Sequence, residues 1–372
     1  MENIIKCNYS CKNKKYIKLQ NISFFHIFIF IIFICFSIRI IYYFFGNHFI
    51  ISFSSNNRNN NLKSYNKNET IYKNEYNLVI PCKTAHIKLL NMHKKFYRKY
   101  LNYSNLILIG PSNLKKFTLN DSSITFINED DLVPKKQINE FLFKMRSLTT
   151  RKDGWLEQQF VKMAYSRIGD KEYYLVWDID TIPIRHIQMF ENNHPYFDMK
   201  TEHHKAYFRT MNILIPNLKI RRQSYISEHM IIKKDLMNDL LDTIEKNSNI
   251  SGKFFWEKIL MVIDDRNIKH QGFSEFETYG TFVDNKYPNI YIHRRWFSKR
   301  NAKKFIGNSN NLNEDDIKWL SISYHALSFE KLSHFEKKFL KFLIDPGIQK
   351  LYKPSKFFQD IKNIIKKHKI TK

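Results

Sequence analysis

The segment YYLVWDIDTIPI (173–184) holds the residues whose types and spacing are best suited to chemistry. Five apolar or aromatic residues lead into Asp178, Ile179 and Asp180, and Pro183 ends the run. Side chains alternate along an extended chain, so Asp178 and Asp180 are expected on one face at a strand end. Two carboxylates this close repel each other unless a cation or strong donors separate them. The pattern therefore predicts a Mg²⁺ or Mn²⁺ site with open positions for phosphates, the alternative being two surface acids without a metal.

Short apolar runs and one helical pattern precede this segment. Residues 77–81, 105–111 and 123–130 have the composition of buried strands, and residues 86–101 have that of a helix. This order predicts an α/β fold, with a mostly parallel sheet flanked by helices. Ligands of such folds bind at the carboxyl ends of the strands, where the two acids are expected.

The segment GWLEQQFVKMAYSRIG (154–169) has the periodicity of an amphipathic helix. Its core face is predicted to consist of Leu156, Phe160, Met163 and Ala164. Gln158, Gln159 and Lys162 project elsewhere on such a helix. They either reach a ligand or form an ordinary solvated face.

These segments together carry a family resemblance. The D-x-D at 178–180 resembles the metal-binding motif of nucleotide-sugar glycosyltransferases with the GT-A (Rossmann-like) fold. An ordered series of further motifs is similar to one poorly characterised family, DUF6492, over roughly residues 76–330. The series consists of INEDDLVP (127–134), a W-x-x-Q-Q-x-x-K helix from Trp155 to Lys162, SYISEHMIIKKDLM (224–237), Gly252–Trp256 and GFSEFETYG (272–280).

The resemblance implies roles for the residues already singled out. Asp180 resembles the metal-coordinating second acid, and Asp178 the acid that meets the ribose or shares the metal. The implied cofactors are Mn²⁺ or Mg²⁺ and a UDP- or GDP-sugar donor, which Gln158, Gln159 and Lys162 would help to bind. The cation would offset the charge that builds on the diphosphate as the sugar leaves for a glycan or glycolipid acceptor.

Further site residues are expected later in the chain. Glu275 and Glu277 are candidates for acceptor contact or for a general base, the alternative being first-turn acids of a helix capped by Ser274. In folds of this type a late histidine often supplies a third metal or diphosphate ligand; His325 is the first candidate and His293 the second, the alternative being a structural histidine. Arg294 and Arg295 are candidates for contact with the donor phosphates, or else belong to a solvated charge run.

The composition limits the classes of protein that remain. The chain has 372 residues and a formal net charge of +26, with 43% hydrophobic residues and four cysteines. This content excludes a chain disordered throughout and a disulfide scaffold. The positive net charge indicates either a solvated, lysine-coated surface or binding of an anionic partner. No zinc-finger spacing or RNA-recognition signature is present, so nucleic acid is not an expected partner.

The sequence predicts a membrane anchor within the first 75 residues. Residues 22–45 are 24 mostly apolar residues, enough to cross a bilayer core of about 30 Å as a helix. Lysines are concentrated before this run, which places residues 1–21 in the cytosol and gives a type II protein. Residues 46–75 read as an Asn-rich flexible stalk, 76–330 as the catalytic domain and 331–372 as a basic helical extension. In a eukaryote the catalytic domain would lie in the Golgi or ER lumen.

Two other classes of function fit part of the pattern. D-I-D-T-I nearly matches the motif of haloacid-dehalogenase-type phosphatases, in which Asp178 would be the nucleophile and Asp180 the acid/base. That class carries the motif on the first strand of its domain, whereas about a hundred residues of α/β pattern precede it here. A non-catalytic carbohydrate-binding protein is the second alternative, and the two intact acids argue against it.

Overall fold

The computed structural model of the chain describes residues 75–119, 121–146, 154–265, 267 and 272–330. The predicted tail and anchor, the stalk up to residue 74 and the extension 331–372 lie outside these residues. In the part of the chain that is described, no helix is long and apolar enough to cross a membrane.

The described residues alternate between strands and helices along the chain. The strands are β1 (Tyr76–Pro81), β2 (Leu106–Gly110), β3 (Ile124–Asn128), β4 (Tyr173–Trp177), β5 (Thr181–Pro183), β6 (Phe190–Glu191), β7 (His194–Met199), β8 (His229–Lys233), β9 (Ile292–Arg295), β10 (Ser298–Lys299) and β11 (Ala326–Ser328). The helices are α1 (Ile87–Tyr100), α2 (Glu129–Leu132), α3 (Lys135–Arg146), α4 (Gly154–Ala164), α5 (Lys205–Leu214), α6 (Lys234–Lys246), α7 (Phe255–Val262), α8 (Glu275–Lys286), α9 (Lys303–Ile306) and α10 (Glu314–Leu320). Short 3₁₀ turns cover Thr84–His86, Ser112–Phe117, Tyr165–Arg167 and Ser309–Asn311.

A five-stranded sheet with the order β3-β2-β1-β4-β8 forms the centre of the fold. The first three pairings are parallel, and β8 is antiparallel to β4. Every residue of β1, β2 and β4 is buried. Strands covered on both faces are continuously apolar, which explains why these runs lack an alternating pattern. The prediction of an α/β fold with a mostly parallel sheet is confirmed.

Two three-stranded sheets join the central one, with the orders β10-β11-β5 and β6-β7-β9. The first sheet has a small core of its own that includes Ile182, Leu327 and Phe329. Because β5 begins at Thr181, this small sheet holds the chain immediately after the two acids. Register pairs Thr181 with Ser328 and Ile182 with Leu327.

Helix α4 is shorter than its sequence pattern predicts. It ends at Ala164, and Tyr165–Arg167 form a 3₁₀ turn instead of continuing to residue 169. The Ser166 hydroxyl donates to the carbonyl of Met163 at 2.8 Å, a bond that competes with the helical ladder. The backbone N–H of Gly169 donates to the Tyr165 carbonyl at 2.9 Å and closes the turn.

Candidate functional site

The Asp178-Ile179-Asp180 segment is a turn at the carboxyl end of β4. Strand β4 ends at Trp177, and the N–H of Thr181 donates to the carbonyl of Asp178 at 3.0 Å. The indole N–H of Trp177 donates to the Thr181 carbonyl at 2.8 Å and braces the turn. The expectation of an extended segment at the two acids is therefore wrong, because the chain turns from β4 into the small sheet at this point.

Lys162 joins Asp178 to the start of helix α8. Its Nζ lies 3.0 Å from Oδ1 of Asp178 and 2.9 Å from Oε1 of Glu275. The lysine and Glu275 are buried, whereas the Asp178 side chain is 33% exposed. Burial alone lowers the pKa of Lys162, but the two carboxylates outweigh it and raise the pKa above its usual value. Lys162 is therefore a buried ammonium held between two acids, and it does not lie on a solvated face.

Asp180 lies in a crowded, negatively charged environment. Its backbone carbonyl accepts a hydrogen bond of 2.7 Å from the N–H of Phe329. Burial raises the pKa of its carboxyl to about 7, and the charges of Asp178, Glu330 and Glu228 act in the same direction. The carboxylate form of Asp180 is thus disfavoured unless positive charge compensates it.

Glu275 and Glu277 occupy the first turn of α8. Ser274 caps the helix, and its hydroxyl accepts from the N–H of Glu277 at 3.2 Å. The capping alternative of the sequence analysis thus describes the local geometry. Residues two positions apart do not face each other on a helix, and the two acids have different neighbours. Glu275 faces Lys162, whereas Oε2 of Glu277 accepts from the Ser224 hydroxyl at 2.7 Å and the Tyr225 N–H at 3.2 Å.

The two glutamines of α4 differ in exposure. Gln159 is buried, and its Oε1 accepts from the backbone N–H of Glu275 at 3.0 Å. This bond and the Lys162–Glu275 ion pair fasten α4 to the start of α8. Gln158 is partly exposed. A donor-binding role for these glutamines stays a prediction.

Arg294 is held by protein groups rather than presented as an open cation. Its guanidinium donates to both carboxylate oxygens of Asp198 at 2.7 and 2.8 Å, and to the carbonyl of Gln188 at 2.9 Å. The guanidinium of Arg295 lies over the Phe297 ring, 5.0 Å from its centroid. A phosphate contact through either arginine stays a prediction.

His325 packs against the segment that links β9 to β10. Its ring stacks on Trp296 with centroids 4.6 Å apart, and Nδ1 lies 3.2 Å from the carbonyl oxygen of Phe297. Burial lowers the pKa of His325 to about 4, which leaves the imidazole neutral near pH 7. Among the residues that the structure describes, no three His, Cys, Asp or Glu side chains are grouped so that they could hold a metal ion. The Asp178–Asp180–His325 ligand set stays a prediction.

Two ion pairs next to the turn were not foreseen from the sequence. Nζ of Lys200 lies 2.6 Å from Oε1 of Glu228, and the guanidinium of Arg300 lies 2.7 Å from Oε1 of Glu330. Glu228 lies inside a segment that carried the family resemblance, but no spacing rule pointed to its carboxylate. Its position follows from the antiparallel pairing of β8 with β4, which places Glu228 opposite Asp178.

The fold and the site define the structural class of this protein. It is an α/β protein built on a mixed, mostly parallel sheet, with carboxylates and a buried lysine at the end of one strand. Residues 88–344 match the family described as "Family of unknown function (DUF6492)". This match covers more than half of the chain, so the chain belongs to that family, and the resemblance seen in its motifs is confirmed. No curated protein matches the chain.

Several solved structures are similar to parts of the chain, and they are glycosyltransferases. An active-site mutant of LgtC has a TM-score of 0.40 at 10% identity, covering 69% of this chain and 88% of that one. Mouse xyloside xylosyltransferase 1 has a TM-score of 0.34 at 10% identity, covering 70% and 96%. GlyE of Streptococcus pneumoniae TIGR4 has a TM-score of 0.31 at 10% identity, covering 69% and 55%.

Proposed function

We propose that this chain is a metal-dependent glycosyltransferase that moves a sugar from a nucleotide-diphosphate donor to a glycan or glycolipid. The observation that carries the proposal is the turn at Asp178 and Asp180, placed at the carboxyl end of a central strand. Ligands of open α/β sheets bind at that end. The D-x-D resemblance and membership of DUF6492 support the same function.

The environment of Asp180 fits a divalent cation. Its carboxyl carries a raised pKa because burial and three neighbouring carboxylates disfavour its charge. A cation at this position would relieve that repulsion, and carboxylate oxygens are the ligands that Mg²⁺ and Mn²⁺ prefer. We assign the carboxylate of Asp180 and Oδ2 of Asp178 to this role, because Lys162 binds Oδ1 of Asp178. When bound, the cation supplies positive charge against the departing diphosphate.

The protein groups around the turn orient the reactants. Lys162 holds Asp178 through one oxygen, and Glu275 holds Lys162 in turn. Of the two predicted bases, Glu275 is the better candidate for acceptor contact because it is linked to Asp178 through this lysine. Glu277 is engaged by Ser224 and Tyr225 on the other side of the helix start. A base role for Glu275 is part of the proposal.

Membrane anchoring is a further part of the proposal. Residues 22–45 would anchor the chain as a type II protein, with residues 76–330 in the Golgi or ER lumen of a eukaryote. Protease digestion of sealed microsomes tests this arrangement. Protection of residues 76–330 until detergent is added is the expected result, and digestion without detergent contradicts it.

Turnover with a panel of donors tests the enzymatic proposal. The full chain is incubated with UDP- and GDP-sugars and Mn²⁺, and release of UDP or GDP is measured with and without EDTA. We expect release from at least one donor, abolished by EDTA and by Asp180→Ala. Glycan binding without turnover of any donor would instead support the carbohydrate-binding alternative.

The phosphatase alternative has less support from the fold. Three strands of the central sheet, β1 to β3, precede β4 in the sequence, so the two acids do not follow the first strand of the domain. Phosphatase turnover that is inhibited by beryllium fluoride, with no turnover of nucleotide sugars, would favour that alternative.

A further inference from the structure

Two glutamate–cation pairs flank the Asp178–Asp180 turn and are connected to its backbone. The N–H of Asp178 donates to the carbonyl of Glu228 at 2.9 Å, and Glu228 is paired with Lys200. On the other side, the carbonyl of Asp180 accepts from Phe329, and the next residue, Glu330, is paired with an arginine. Backbone hydrogen bonds thus hold the turn to Glu228 and Phe329, and the carboxylates of Glu228 and Glu330 are each paired with a basic side chain.

In the Glu228–Lys200 pair the glutamate is buried and the lysine is partly buried, and Glu228 has several further hydrogen-bond partners. Glu228 is 6% exposed, and its Oε1 lies 2.6 Å from Nζ of Lys200. The same oxygen accepts from the Ser298 hydroxyl at 2.8 Å, and Oε2 accepts from the indole N–H of Trp296 at 3.0 Å. Burial raises the pKa of Glu228, but Lys200 and the other donors outweigh it and hold the pKa below its usual value. The carboxyl of Glu228 therefore stays ionised at neutral pH.

Glu228 lies opposite the start of the turn, because its carbonyl accepts from the N–H of Asp178 at 2.9 Å and the next residue, His229, is the register partner of Trp177. The negative charge of Glu228 is therefore a neighbour of the two acids and acts on a cation that they would bind. The ammonium of Lys200 lies 2.6 Å from the Glu228 carboxylate, and its positive charge opposes the effect of the negative charge of Glu228. In a poorly solvated region such charges interact more strongly than in water. Removal of either partner therefore changes the electrostatic potential at Asp180, and the two removals change it in opposite directions.

We propose that Glu228 and Lys200 are a charge-compensated positioning pair for the Asp178–Asp180 turn, which sets the affinity of the turn for a divalent cation. The inference rests on the proposed function, because it requires a cation to bind at Asp180. Neither residue is assigned to contact the cation. Glu228 acts through its backbone bond to Asp178 and through its charge, and Lys200 acts by balancing that charge.

A purely structural role makes a different prediction. An ion pair that only stabilises packing loses stability when either partner is removed, because an uncompensated buried charge remains. Both single variants would then behave alike. A charge-setting role instead requires the two variants to shift cation affinity in opposite directions, since one leaves an unpaired positive charge and the other an unpaired negative charge.

The test measures Mn²⁺ affinity without nucleotide. Mn²⁺ is titrated into the full chain and free Mn²⁺ is followed by electron paramagnetic resonance, for wild type, Glu228→Gln, Lys200→Met and the double variant. We expect Glu228→Gln to weaken binding roughly tenfold or more, and Lys200→Met to strengthen it by a similar factor, from Coulomb energies near a protein surface. The double variant should return to within about threefold of wild type, because the net charge near Asp180 is restored.

Lys286→Met is the matched control, since it removes the same charge at the opposite end of α8. Lys286 pairs with Asp239 at 2.6 Å, about 16 Å along the helix axis from Glu275. Its Mn²⁺ affinity should equal that of wild type within about twofold, because salt screens charges beyond a Debye length of about 8–10 Å. Circular dichroism confirms that each variant is folded before titration.

The outcomes separate this inference from the proposed function. Wild-type binding that Asp180→Asn abolishes, combined with shifts of the same sign or no shift in both single variants, overturns the role of the pair alone. A wild type that binds no Mn²⁺, and is indistinguishable from Asp180→Asn, overturns the cation site and this inference together. Opposite shifts with recovery in the double variant support the inference.

Discussion

Replacement of Lys162 by methionine tests the buried arrangement that joins Asp178 to α8. Methionine keeps the length and apolar stem of the side chain but removes the ammonium that lies 3.0 Å from Asp178 and 2.9 Å from Glu275. Two carboxylates then face each other without a cation, and the Glu275 side chain is only 6% exposed. Loss of one partner of a buried ion pair destabilises a protein by about 3–5 kcal/mol.

The lower end of that range is appropriate here. Because the Asp178 side chain is 33% exposed, water takes up part of its charge. We therefore expect the free energy of unfolding to fall by about 3 kcal/mol. In a domain of this size the melting temperature should fall by roughly 6–12 °C. Urea and thermal unfolding of the full chain, followed by circular dichroism, measure both quantities.

The pH dependence of the variant provides a second readout. Without Lys162, the folded state brings the charges of Glu275 and Asp178 together in a poorly solvated site, which disfavours the form in which both are ionised. Uptake of a proton relieves this repulsion, so its cost to the folded state is smaller at low pH than at high pH. The deficit of Lys162→Met relative to wild type should therefore be smaller at pH 5 than at pH 8.

Two comparisons decide whether the reasoning holds. Lys99→Met removes an exposed lysine that lies 3.0 Å from Glu314, and it should leave the melting temperature almost unchanged. Combining Lys162→Met with Glu275→Gln should recover part of the lost stability, because the second change removes the unpaired buried charge. A Lys162→Met protein as stable as wild type at pH 8, or a deficit independent of pH, would refute the account of Lys162.

Three further changes test separate parts of the site. Asp180→Asn should be more stable than wild type at pH 8 in EDTA, because the pKa of Asp180 is raised to about 7 in the folded state. This difference in stability should shrink as pH falls toward 4. Melting temperatures measured from pH 4 to pH 8 test this, and a difference between the two proteins that does not change with pH would contradict it. Ser274→Ala should lower the free energy of unfolding by about 1 kcal/mol through loss of the α8 cap, measured by urea unfolding. Gly280→Ala should destabilise by about 1–3 kcal/mol, since its Cβ would lie 2.2 Å from the Tyr225 ring. Gly154→Ala is the control and should melt near wild type, because its Cβ would approach the flexible end of Lys83 most closely and the Glu157 carboxylate at 3.4 Å.

Local patterns in the sequence were sufficient for much of the framework. The apolar runs predicted β1, β2 and β4 because strands covered on both faces need continuous apolar side chains. The 3.6-residue periodicity predicted α4, and Ser274 marked the start of α8 as one of two alternatives. Patterns of this kind depend on neighbours within a turn or two, which a sequence displays directly.

Contacts between distant segments were beyond such patterns. The periodicity of α4 predicted that Lys162 either contacts a ligand or lies on a solvated face. In the structure its partner is Glu275, which lies 113 residues away in the sequence. Arg294 was a candidate phosphate contact, but β7 pairs with β9 and brings Asp198, 96 residues earlier, against its guanidinium. The partner of a charged side chain depends on which strands pair.

The sequence by itself determined that two acids follow a buried strand in an α/β chain, because the local pattern of apolar residues predicts which strands are buried and in what order the elements follow. Only the tertiary structure decided how those acids are held. The turn at Asp178, the lysine beneath it and the pair of Glu228 with Lys200 arise when β8 aligns antiparallel to β4 and α4 packs on α8. Those contacts depend on packing in three dimensions, which no spacing along the chain specifies.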